Sequence, residues 1–318
     1  MANLLLILAG CTASSTALTP PGEGLSDIST IVTSLTPLST RPLTSATQTP
    51  SPTTILTSTS AATPVPTDQP TTTETPIAIS TPPGTSLTRQ VLWLYETNNG
   101  CQLPCWWGIT PGQTTWNTAE RFFNLFASTI LSASTSSPNS MSYSPIIPLP
   151  SEVFREDTVS PIYSVRDGIV GQIGTRVSMG DTPPGYLTQY MLSTFLTTYG
   201  QPSEVWVSTY SAPYSDLPFR VALFYPAQGI AALYSDNGVR QGELVHGCPQ
   251  QGPVGFLSLW DPSMQELTFD VLKSRTSAFN VEFLSLEEST GMDVTTFYET
   301  FKNADNTTCL QTPTDLWP

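Results

Sequence analysis

The chain has 318 residues, enough for two domains, with 30 prolines, a charged fraction of only 11% and a net charge of −14 at pH 7. Eleven Lys and Arg against 25 Asp and Glu argue against the phosphate-neutralising surface that nucleic acids and anionic lipid headgroups require. No apolar run approaches the ~20 residues that span a bilayer as a helix.

The chain opens MANLLLILAGC. Leu4 to Leu8 form an apolar run, and Leu8-Ala9-Gly10-Cys11 follows it, with small residues of the kind signal cleavage sites use. This tetrad resembles the lipobox of bacterial lipoproteins. The resemblance implies a signal segment over residues 1–11, a Cys11 that is acylated, and a protein held to a membrane through that lipid. Residues 12–88 are dominated by Ser, Thr and Pro, carry no aromatic residue, and have Arg41 as their one basic residue. Such a composition cannot bury enough apolar area to offset ordering entropy, so it reads as a disordered tether. Extended at about 3.1 Å per residue, it would reach on the order of 200 Å.

All seven tryptophans, all eleven tyrosines and four of the five cysteines lie beyond Ser86. Residues 89–318 therefore read as the folded head, one substantial core or two subdomains. A short helix is expected around Val91, Leu94 and Tyr95. The loop "GCQLPCWWGITPG" follows. A second helix is expected with Thr114 or Thr115 as its cap and Trp116, Ala119, Phe123, Phe126 and Ile130 at helical spacing. The Ser- and Pro-rich stretch after it reads as a mobile loop. Asp167-Gly168 predicts a tight hairpin turn. Leu187, Tyr190, Met191, Thr194 and Phe195 predict a helix stopped by Gly200 and Pro202.

Strands are expected in "EVWVSTY", "FRVALFYP" and "GIAALYSDNGVRQGELV", with a hairpin turn at Asn237-Gly238, and a last strand in "GFLSLWDP". Helices are expected in "SMQELTFDVLKS" and from Ser285 onward, where Ser285 and Glu288 match a capping box and Asp293 can cap "VTTFYETF". The fold class is α+β, with helices packed on an antiparallel sheet.

The helix, Tyr199-Gly200-Gln201-Pro202 and the strands that follow resemble envelope lipoproteins of the BamE/SmpA type and the related β-lactamase-inhibitor-protein fold, over roughly Gly108 to Ser235. That resemblance implies paired helices on an antiparallel sheet and a module that binds other proteins. The whole head, with CxLPCWWGITPG at its start and TGMDVTTFYETF near its end, is similar to uncharacterised lipoproteins of filamentous green non-sulfur (Chloroflexi-type) bacteria.

Cys101, Cys105, Cys248 and Cys309 form an even set, which in an exported domain implies disulfides. Three pairings are open, and proximity in sequence favours Cys101–Cys105 with Cys248–Cys309. A tetrahedral zinc site from the same cysteines, or with His246 replacing one, is the competing reading. No metal, cofactor or catalytic residue is expected. His246 is the single histidine, no G-x-S-x-G elbow is present, and the carboxylate pairs Glu152/Glu156 and Glu287/Glu288 read as surface charge.

Trp106, Trp107 and Trp116 are the candidate binding residues, for a glycan or a peptide. In an extended segment Trp106 and Trp107 would point to opposite sides, one buried and one exposed. The competing reading packs both over the cysteine loop. Taken together, the expectation is a lipid-anchored, non-catalytic module of the cell envelope that binds another envelope protein, with glycan binding as the alternative and a hydrolase as a third.

Overall fold

In the computed structural model the described residues are 77–78, 86–135, 137–149, 158–177, 185–211, 217–263 and 267–318. Cys11 and nearly all of the expected tether lie outside them, as do Glu152 and Glu156.

Helix α1, Leu87–Thr97, opens at Ser86, whose hydroxyl accepts the Arg89 N–H, and buries Val91, Leu92, Leu94 and Tyr95. It begins two residues before the expected boundary at 89, and Ile77 also packs on the core. Helix α2, Trp116–Phe123, is capped by Thr115, whose hydroxyl accepts the Thr118 N–H. It is shorter than expected. Phe126 still reaches the core from the turn that follows, but Ile130 belongs to strand β1, Thr129–Ser134. The β-branched pair Thr129 and Ile130 favours an extended chain once a partner strand is available.

That partner is β2, Ser140–Pro148, in the segment read from sequence as a loop. Small serines alternate there with Met141, Tyr143, Pro145 and Ile147, a period of two. Pro145 is tolerated because its missing N–H falls in a gap. β2 pairs with β4 (Ile162–Arg166) through Ser140–Tyr143 and with β3 (Thr158–Val159) only through Ile147–Pro148. β4 turns into β5, Ile169–Arg176, through Asp167 and Gly168, both at positive φ (50° and 80°), as the tight-turn reading requires.

A single 3-10 turn, Thr188–Tyr190, precedes helix α3, Leu192–Tyr199. Met191 is extended and bridges to Pro253, so Leu187 and Tyr190 enter the core from ahead of the helix rather than along its face. Gly200 ends α3 at φ 81°, ψ −163°, a glycine conformation other than the left-handed helical cap expected.

The meander β6 (Glu204–Ser208), β7 (Leu217–Tyr225), β8 (Ile230–Gln241) and β9 (Leu244–Gly247) follows. Asn237-Gly238 does not form its turn. Both residues lie inside β8, paired with Pro218 and Leu217, and the chain reverses at Gly242. Gly238 serves close approach: a Cβ there would sit 3.2 Å from the Leu217 carbonyl, Phe219 Cβ and Val245 Cγ1.

Strand β10, Phe256–Trp260, inserts between β5 and β8 at the centre of the sheet, and it is not the last strand expected, because two further strands follow it in the chain. Helix α4 (Phe269–Arg275), the two-residue β11 (Leu284–Ser285), helices α5 (Leu286–Thr290) and α6 (Val294–Phe301), and β12 (Leu310–Pro313) complete the chain. The Ser285/Glu288 capping box and the Asp293 cap are both present.

The sheet is antiparallel, in the order β1-β2-β4-β5-β10-β8-β7-β6-β11, with β3 on β2 and β9 between β8 and β12. Its central strands are buried on both faces. One face carries Val221, Leu223, Tyr234 and Leu257 against side chains of α1, α2, α3, α5 and α6. The other carries Ala222, Phe224, Leu233 and Trp260 against Phe269, Leu272, Phe279 and Phe283. This is why β7 and β8 read as nearly continuous apolar runs.

Candidate functional site

The four head cysteines form two bonds, Cys101–Cys105 and Cys248–Cys309, with Cα atoms 5.9 Å and 4.3 Å apart. The second ties the end of β9 to the start of β12, strands already paired through Gly247 and Leu310. Two disulfides fit an oxidising, extracytoplasmic compartment. Among the described residues no helix is long and apolar enough to cross a membrane. All four thiols assigned to the competing zinc reading are held in these bonds.

His246 sits in β9 opposite Gln311 of β12 and Val239 of β8. Glu288 is engaged by its own cap. Its carboxylate accepts from the Ser285 hydroxyl (2.7 Å) and N–H (3.1 Å), and these bonds hold it below the usual carboxylate range.

The cysteine loop is organised by Asn98. This residue is buried and left-handed (φ 50°). Its Nδ2 donates to the carbonyls of Cys101 (2.9 Å) and Cys105 (2.8 Å), and its Oδ1 accepts the Trp107 N–H (2.8 Å). Trp106 and Ile109 then exchange two backbone bonds across a tight turn, with Trp107 and Gly108 at positive φ.

The turn brings both indoles to one side. They stack at 5.2 Å and 19°, with Tyr95 edge-on to each, and both are wholly buried. The alternating geometry of an extended segment does not apply at a left-handed turn, so neither ring is exposed. Trp106 and Trp107 are core residues, and neither presents a ring face to a ligand.

Trp116 has a different setting. It lies in the wall of a cleft of about 590 Å³ between α2, β2 and the β4–β5 turn. Backbone bonds tie these walls together: Trp116 N–H donates to Gly168 O (2.8 Å), Val170 N–H to Thr114 O (3.0 Å), and Asp167 N–H to Asn139 O (3.0 Å). Trp116 itself is almost fully buried. It stacks on Tyr143 at 4.0 Å and 12°, with Phe123 at 6.4 Å and 29°. Tyr143 is the half-buried partner. Asn117, Glu120, Asn139 and Asp167 form the polar rim, and no lining residue is basic.

The second feature is the outer edge of β1, which has no further strand neighbour among the described residues. Thr135 N–H donates to Ser140 O, which sets the phase of the ladder. By antiparallel alternation, Thr129, Leu131 and Ala133 bond to β2, while Ile130, Ser132 and Ser134 turn their N–H and C=O groups outward. Every β1 residue except Ile130 is exposed, so both faces meet solvent, and Leu131 is 55% exposed. No charged residue occurs between Phe122 and Ser151.

Tyr143 was missed because its segment reads as a polar loop, and the β1 edge because its first residues, Ile130 included, continue the helical spacing of the second helix. The usable signals were the period-two placement of Met141, Tyr143 and Ile147 and the long uncharged interval. Compared with known proteins, the chain matches no family model, no curated protein and no solved structure.

Proposed function

We propose that this is a lipid-anchored protein of the cell envelope whose head is a non-catalytic binding module. It recognises another envelope protein by taking an extended, uncharged segment of that protein onto the open edge of β1. The observation that carries the reading is the outward-facing backbone of Ile130, Ser132 and Ser134 on a strand free of charge and proline. Natural edge strands are commonly blunted by charge, proline or a covering element. Strand addition draws affinity from main-chain bonds and specificity from alternate side chains.

The Leu8-Ala9-Gly10-Cys11 tetrad and the Ser/Thr/Pro segment behind it support the anchor and the reach. The sequence resemblance of the stretch from Gly108 to Ser235, with its Tyr199-Gly200-Gln201-Pro202 turn, to envelope modules that bind other proteins is in keeping with the role. Glycan recognition is the second reading, favoured by the place of Trp116 in the cleft wall.

The test uses the full chain in its native envelope, with a photo-crosslinking residue at Ser134 and a control at Leu316, an exposed residue outside β1. Adducts with a discrete protein are expected at Ser134 and are abolished by Ser132→Pro, which removes an outward N–H while leaving the β1–β2 bonds in place. Adducts indifferent to Ser132→Pro, or no stronger than at Leu316, defeat the reading. Mass spectrometry of the expressed precursor tests the anchor separately: cleavage before Cys11 with acylation is expected, and an unmodified, uncleaved terminus refutes it.

A further inference from the structure

We infer that the cleft beside Trp116 binds the neutral pyranose ring of a glycan, with Tyr143 as its stacking platform. This deepens the glycan reading and does not depend on strand addition at β1, so either can fail alone.

The cleft is preorganised. Its three walls are joined by the backbone bonds of Trp116 to Gly168, Val170 to Thr114 and Asp167 to Asn139, so a ligand meets a formed site. Its volume of about 590 Å³ suits a small ring system. Trp116 stacks on Tyr143 and also neighbours Phe123, and it backs the tyrosine ring from the core side. Tyr143 is half-buried, stacks on Trp116 and lines the cleft, so the exposed part of its ring is offered there.

The rim decides the ligand class. Glu120 and Asp167 accept hydrogen bonds, and Asn117 and Asn139 both accept and donate. Hydroxyl groups around a ring match that set, while the ring's apolar C–H face matches the tyrosine. Two carboxylates with no basic residue disfavour an anionic ligand. A quaternary ammonium ion is held best by ring faces on several sides. Here Trp116 is almost fully buried, so Tyr143 is the one half-buried ring among the cleft's lining residues.

The experiment titrates the full chain calorimetrically against neutral hexose and N-acetylhexosamine oligosaccharides, with sialylated oligosaccharides and choline as comparisons. Binding of at least one neutral oligosaccharide is expected. Tyr143→Ala weakens it tenfold or more, and Asn117→Ala and Asp167→Asn weaken it several-fold. Asn117 and Asp167 are exposed, and asparagine tolerates the left-handed backbone at 167. Those two variants decide the matter if Tyr143→Ala fails to fold. The inference is overturned if no neutral oligosaccharide binds at millimolar concentration, if binding is indifferent to Asn117→Ala and Asp167→Asn, or if only choline or the sialylated compounds bind.

Discussion

The side-chain oxygen of Asn98 accepts the main-chain N–H of Trp107 at 2.8 Å, nine positions along the chain. With its two donations to Cys101 and Cys105, the same carboxamide closes the loop from inside. The disulfide and the amide therefore constrain one loop by two independent means.

Asn98→Ala removes three hydrogen bonds, one buried and two part-buried, and places alanine at positive φ. At about 1 kcal/mol net per bond, the loss is about 3 kcal/mol. Equilibrium denaturation in urea measures it. A change below 1 kcal/mol would mean that the disulfide alone organises the loop.

The two disulfides differ in what they restrain. Cys248–Cys309 closes a separation of 61 residues and Cys101–Cys105 one of four. The chain-entropy model assigns about 4 kcal/mol to the first and about 2 kcal/mol to the second. Paired Cys→Ser variants at each bridge, compared by the same denaturation, should show that order.

Trp107→Ala should act on stability and leave ligand binding by the folded fraction unchanged. The indole is wholly buried and stacked on Trp106, so truncation leaves a cavity costing about 3–5 kcal/mol. A folded, full-stability variant with altered binding would return this residue to the surface.

Glu288 gives a pH signature. The Ser285 hydroxyl and then its N–H hold the Glu288 carboxyl below its ordinary range. Because the folded value is the lower one, the stabilisation is complete above the unfolded carboxyl value and is lost as pH falls through the folded value. NMR titration should find Glu288 low in the wild type and returned toward the ordinary range in Ser285→Ala. Asp293 should behave alike, held low by the Thr296 N–H and hydroxyl.

Features set by a few neighbouring residues were legible in advance. Thr115 and Asp293 cap their helices, Ser285 and Glu288 form their box, and Asp167-Gly168 makes its turn, because each is satisfied within about four residues. Asn237-Gly238 carried an equally strong local signal and was overridden. β7 is long enough to pair with β8 through Leu217, which draws both residues into the ladder.

Composition by itself placed the aromatic-rich core beyond Ser86 and suited the four head cysteines to disulfides, and the periodicity of the expected elements set the α+β class. Those properties follow from side-chain chemistry summed along the chain. Tertiary structure alone decided that β10 joins the two halves of the sheet, that Trp106 and Trp107 stack inward, and that Tyr143 meets Trp116 beside a cleft. Each depends on partners far away in sequence, as with the pairing of Phe256 to both Arg176 and Leu233. No local pattern records such a partner, because the free energy that selects it is the burial of both residues at once.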